Sequence, residues 1–335
     1  MKLAKIFVNS LRLINLAAET EERRIPVGGQ AVIEGVLMKG PEHWGLAVRE
    51  PEGKIWLKSW LSSKWLEKPV WKLPIIRGCA TMVDMMRVGM NALSISAEVS
   101  LGEEDTFSPW ELAGSILFAL LFVVGLFIAL PMFLSEFVSA HCGLSDVWKN
   151  CIEGIVRAFV FIGYVAVISL WKDMRRVFEY HGAEHKTINA YEHYAELTPE
   201  NVAKYSRIHR RCGTSFLLIV VFVSIIVFSF IRVDTALARV LSRVVLLPLV
   251  IGISYEFIRA AAKSDGWGKA CIAPALTLQY VTTRVPSEDQ LEVAIAALDL
   301  ALHPEKDNSA EWENKKKLNA ENSGANKEKT DEMRV

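Results

Sequence analysis

The strongest constraint on this chain is a run of 23 residues, 112–134, that carries no charge. Wound as a helix, an apolar stretch of that length spans the ~30 Å hydrocarbon core of a bilayer. Residues 155–171, 213–231 and 244–262 read the same way. The second begins near Arg157, which can snorkel to the interface, and the fourth is the weakest because it carries Pro248, Glu256 and Arg259. Mean hydropathy is +0.24 although 23% of residues are charged, so apolar spans are joined to polar parts. The formal net charge is zero, so nothing calls for nucleic acid as a partner.

Topology follows from where the cations sit. The connection 172–211 holds eight Lys and Arg, whereas 135–150 holds Lys149 alone. Basic connections stay cytoplasmic, so an even number of spans puts 172–211 and both termini inside. Cys142 and Cys151 then lie outside, where a disulfide is open to them. The expected fold is an α-helical multi-pass membrane protein with four transmembrane helices and a small β-rich cytoplasmic N-terminal unit.

The polar parts divide in order. Residues 1–19 place Leu3, Ile6, Phe7, Leu11 and Ile14 on one helical face with cationic flanks, suited to an anionic membrane surface or to packing on the rest of the protein. Residues 27–100 form the cytoplasmic unit, β-rich as far as 61 and then helical from about 76 to 99. Within it, 30–38 reads as a strand, and 44–49 and 54–60 flank the turn Glu50-Pro51-Glu52-Gly53 as a hairpin. Glu34 is the odd residue in its apolar strand, either a functional carboxylate or an outward-facing position. Residues 263–303 form a C-terminal cytoplasmic segment in which Ser287 and Gln290 make a capping box, and 304–335 reads as a disordered tail.

Chemistry concentrates in Tyr180-His181-Gly182-Ala183-Glu184-His185-Lys186. The pattern H-x-x-E-H sets two imidazoles and a carboxylate on one helical face. Neutral imidazoles suit zinc, and the carboxylate can take a proton from a water activated by the metal. The plain alternative is a polar helix turn at the membrane surface. Further ligand types converge on the same side of the membrane: His209 and Cys212 before the third span, and Glu256 near the inner end of the fourth. The expected order for a third ligand is His209, then Cys212, then Glu256, then Glu192. Glu192 lies two turns beyond His185, ~10.5 Å by helix rise, too far for one metal on a straight helix.

Three stretches carry a family resemblance: Gly28-Gly29-Gln30-Ala31-Val32-Ile33-Glu34-Gly35-Val36, then 180–186, then Arg211-Cys212-Gly213-Thr214-Ser215-Phe216. They resemble the YqhQ-like bacterial membrane proteins, a family of unknown function often labelled predicted metal-dependent enzymes. The resemblance runs over about 27–300 and implies a multi-pass protein of the bacterial cytoplasmic (inner) membrane. It brings forward Glu34, His181, Glu184, His185, His209 and Cys212 as motif positions and no substrate. The expected function is a metal-dependent hydrolase at the cytoplasmic membrane surface with Glu184 as catalytic base. His181 and His185 would bind a divalent metal, zinc foremost, completed by His209 or Cys212, with Glu34 and Glu256 as secondary candidates. The bilayer is the expected partner, with a lipid-borne or membrane-protein substrate. The alternative is a non-catalytic scaffold or assembly factor with a structural metal or none. An ion carrier ranks third, because no span shows an acidic or His residue near its middle.

Overall fold

The computed structural model describes residues 25, 27–101, 109–143, 145–231, 233, 235–262 and 267–310. The amphipathic helix expected over 1–19 and the tail beyond 310 lie outside the described residues. The described chain is mostly helical, with one small antiparallel sheet near its N-terminal end.

That sheet is a four-stranded meander, β1 (Gly28–Val32), β2 (Gly35–Lys39), β3 (His43–Arg49) and β4 (Ile55–Leu61), paired in sequence order. Alternation along the strands gives it two apolar faces. Val32, Leu37, Trp44, Leu46, Val48 and Trp56 meet Val88, Ala92 and Val99 of the long helix α1 (Ile76–Leu101). Val36, Met38 and Ala47 face the other way, onto α5 (Lys172–Glu192) and α11 (Glu288–Leu302). The hairpin around 50–53 forms as expected. The single strand expected over 30–38 is instead a second hairpin, turning at Ile33-Glu34 with Glu34 at φ 50°.

Among the described residues, fewer than four apolar helices are of membrane-crossing length. Helix α2 (Pro109–Val124), a π-helical turn (Gly125–Ala129) and α3 (Leu130–Cys142) run on as one rod, followed by α4 (Asp146–Ile168). Among the described residues two helices, Ala113–Cys142 and Trp148–Ile168, are long and apolar enough to cross a membrane. A third joins them if Leu237–Val245 and Leu247–Ala261, bent by 42°, count as one. These belong to α8 (Ala236–Val245) and α9 (Leu247–Ala262). The expected third span is α7 (Gly213–Ser229), apolar but 17 residues long, about 26 Å by helix rise. The expected outer loop 135–150 is mostly helix, because α3 continues to Cys142 and α4 starts at Asp146.

The π turn has a local cause. Pro131 has no N–H to give to the carbonyl four residues back, on Phe127. Arg157 of α4 supplies the missing donor, Nε to Phe127 O at 2.9 Å. Far from snorkelling at a span's edge, Arg157 is buried, and with Arg243 of α8 it grips Glu153, which is 2% exposed. Charge therefore does lie between the apolar helices, with Glu153 near the start of α4 rather than at its middle.

Helix α10 (Trp267–Thr282) packs against α7 and ends where 283–286 crosses α5 and leads into α11. The capping box at Ser287 forms as expected. Beyond α11 the chain does not loosen at once: Leu57 N–H donates to Asn308 Oδ1 at 2.7 Å and Ser59 N–H to Asp307 Oδ2 at 2.7 Å, so the segment from Pro304 lines the edge of β4. Exposed strand edges are commonly covered in this way. All five cysteines, Cys142 and Cys151 included, are free thiols.

Candidate metal centre

The centre is built on α5, one of whose faces lies buried against the sheet and α11. Gly182 allows the chain after α10 to cross that helix, since a Cβ there would collide with the carbonyl of Arg284. Arg284 N–H donates to Phe178 O at 2.8 Å, which fixes the crossing. The helix stays unbroken through Gly182, and the crossing brings the end of α10 onto His181.

His181 Nδ1 lies 2.8 Å from Thr282 O, and His185 Nδ1 lies 2.6 Å from Arg207 O. A carbonyl can only accept, so in each neutral ring Nδ1 carries the hydrogen and the lone pair is left on Nε2. The two rings sit 4.4 Å apart. Cys212, the N-cap of α7, brings its Sγ to 3.3 Å from His181 Nε2. One ligand atom from each of His181, His185 and Cys212 falls within 4.8 Å of the others. Burial lowers the pKa of His185, with the Cys212 hydrogen bond opposing, so the ring is held in its neutral, donor-atom form. Cys212 Sγ also touches Thr214 Oγ1 at 3.0 Å, which in turn lies 3.3 Å from Thr282 Oγ1.

Glu184 stands beside this trio and is not part of it. It is 4% exposed, and its Oε2 has no hydrogen-bond partner. Burial pushes its pKa up to about 7, with His181 opposing. The carboxyl lies toward β1, where a Cβ on Gly29 would sit 3.2 Å from Glu184 Oε1 and collide with the carbonyl of Leu37. Glycine at 29 thus leaves room for a buried acid.

The other expected ligands are engaged elsewhere. The His209 ring is 5.7 Å from that of His185, but its Nε2 faces Glu192 Oε2 at 3.4 Å. Although burial opposes ionisation, His209 and Arg211 hold the Glu192 carboxyl below the usual carboxylate range. By distance, then, Cys212 stands with the two imidazoles, whereas His209 faces Glu192. Glu256 takes Arg77 and the Ile75 N–H, at the start of α1, and joins neither the trio nor Arg259 in a hydrogen bond. Glu34 pairs with Arg176 and accepts from Tyr180 Oη at 3.2 Å, pinning the first hairpin to α5.

Sequence reasoning missed the residues that orient the centre. Lys186 donates to Ala203 O and Tyr205 O at 2.7 and 2.6 Å, and Asn189 donates to Ser206 O and Ile208 O at 2.7 and 3.1 Å. Together with His185 they hold the carbonyls of 203–208 against α5. Gln279 fixes the next residue from both sides, accepting from His209 N–H at 2.8 Å and donating to His209 O at 2.7 Å. Asn189, one turn beyond His185 on the same face, was the only legible signal among these.

Residues 73–304 match the family model described as a protein of unknown function, DUF1385. The chain is also similar to the uncharacterized protein YqhQ of Bacillus subtilis (strain 168), at 34% identity over 295 residues, which is 83% of this chain and 92% of that protein. No solved structure matches it.

Proposed function

The chain belongs to the DUF1385 family of proteins of unknown function, the YqhQ-like family, and from that premise, which brings no activity with it, we propose a metal-dependent hydrolase working at the cytoplasmic surface of a bacterial membrane. The supporting observation is the pair of carbonyls, Thr282 O and Arg207 O, that turn both imidazoles so that Nε2 is the free donor. Metal-bound histidines characteristically have their other nitrogen tied in this way. One sulfur and two nitrogens suit zinc, and three protein donors leave a position open, as in catalytic rather than structural sites. His209, turned to Glu192, does not close that position.

When bound, a divalent ion supplies Lewis acidity toward an ester, amide or phosphate bond. The protein's own groups do the rest. The two carbonyls hold the rings in place. Glu184, poised near neutral pH with an unpartnered oxygen, takes a proton from the attacking water and returns it to the leaving group.

For the membrane we keep the four-span reading, with 172–211 and both termini cytoplasmic. What supports a membrane setting, though not the count of spans, is a helix built inside out: α8 exposes Leu237 (70%) and Val245 (73%) while burying Arg243 (3%). A cavity of about 370 Å³ runs along α7 and α10, the helices whose ends carry Cys212 and Thr282. Leu218, Phe222, Ile225, Phe257 and Pro274 line it, a surface suited to an acyl chain, so the substrate we favour is lipid-borne.

The test is metal content of the detergent-solubilised protein, wild type beside His185→Ala, followed by Glu184→Gln. About one metal per chain, lost in His185→Ala and kept in an inactive Glu184→Gln, is the expected result. Wild-type function in Glu184→Gln, with function lost in His181→Ala, would sink the hydrolase and leave a scaffold with a structural metal.

A further inference from the structure

A second polar centre lies between α4, α7 and α8. Glu153, 2% exposed, accepts from Arg157 Nη2 at 2.6 Å and from Arg243 Nε and Nη2 at 3.1 Å each. Arg157 spends its other donors on Phe127 O and Ser224 Oγ, and Arg243 Nη2 also reaches Asn150 Oδ1. Both guanidinium groups lie over the ring of Phe228, at 4.3 Å for Arg243 and 5.6 Å for Arg157.

Among the described residues the charges do not balance. Two guanidinium groups, which stay protonated in proteins, face one carboxylate. Glu136 is engaged by Lys149 and Arg239 and pairs with neither guanidinium. An unmatched charge among apolar helices is costly, and so is a buried donor without an acceptor. Arg243 Nη1 is such a donor: it is buried and has no hydrogen-bond partner among the described residues. Stacking on Phe228 engages the face of the guanidinium and leaves its N–H edge free. A latch meant only to join helices would be complete with one arginine per carboxylate.

We propose that a small monovalent anion, chloride being the simplest, binds at the Nη1 edge of Arg243 and neutralises this centre. Monovalency follows from the surplus of one charge at Glu153. The site is separate from the His181, His185 and Cys212 trio, and it stands or falls without the hydrolase reading.

The experiment uses the full chain in detergent, exchanged into isethionate, with radiolabelled chloride followed by equilibrium dialysis and bromide as competitor. Saturable binding of about one chloride per chain, displaced by bromide, is expected. Arg243→Gln should weaken it by about tenfold or more, the scale of one hydrogen bond to a charged group, and His185→Ala should leave it unchanged. Absence of saturable chloride binding by the wild type overturns the proposal, and so does equal affinity in Arg243→Gln. Should Arg243→Gln not fold, Glu153→Gln, which enlarges the surplus charge, must bind chloride more tightly; equal or weaker binding overturns the proposal as well.

Discussion

The two buried polar centres are opposites in what they lack. The His181, His185 and Cys212 group is an arrangement of acceptors whose ligand atoms face one another, fit for a cation. The group of Glu153, Arg157 and Arg243 has a surplus of donors. One helix serves both: α7 is capped by Cys212 and carries Ser224 and Phe228 toward its far end, ~24 Å away by helix rise. The means of orientation differ too. Backbone carbonyls set the first centre. Ion pairs set the second, so its geometry depends on its own charge balance.

The sharpest way to separate the centres is His185→Ala. Metal content measured by elemental analysis should fall from about one per chain to nearly none, with thermal stability of the membrane helices retained. Next in size is Glu153→Ala, which leaves two guanidinium groups without a carboxylate. Loss of a buried partner of this kind costs about 3–5 kcal/mol. Unfolding in detergent should show that loss while metal content stays at the wild-type level; a simultaneous loss of metal would mean that the centres are not independent.

Glu184 gives the third effect, visible in metal-free protein. Its folded pKa, about 7, is raised above the ordinary 4.5, so the fold favours the protonated acid. Its stabilising contribution is therefore complete below pH 4.5 and is lost as pH rises to about 7. The size is on the order of 3 kcal/mol. The difference between wild type and Glu184→Gln, measured across that window, should carry this slope; a flat difference would mean that the acid has a partner. The smallest effect is at the rim. Arg211→Ala removes an exposed ion pair with Glu192 and should cost less than about 1 kcal/mol, with metal content unchanged.

What was legible in the residues was chemistry within one helix or next to one. H-x-x-E-H places His181 and His185 together, and the hairpin over 43–61 follows from its turn. That His209 turns toward Glu192 could not be read from rise along α5, which says nothing about Gln279, the residue that sets the path of the chain at His209. The carbonyls of Thr282 and Arg207 left no trace, since any residue type can supply one. The first hairpin was missed because its left-handed position falls on Glu34, where the adjacent Gly35 would be the conventional occupant. Glu153 was overlooked because hydropathy starts the second span after it, whereas α4 begins at Asp146 and Glu153 is paired there with Arg157 and Arg243.

The crossing at Gly182 also bears on the order in which the protein becomes competent during its synthesis. His181 takes its tautomer from a carbonyl 101 residues further along the chain. A ribosome that has just delivered α5 has made both imidazoles, but nothing yet fixes the hydrogen of His181 on Nδ1. Cys212 follows early, yet the ring must wait until α7, α8, α9 and α10 have emerged and 283–286 has folded back across the helix. On the proposed reading, an ion would find both imidazoles already oriented only once α10 is in place.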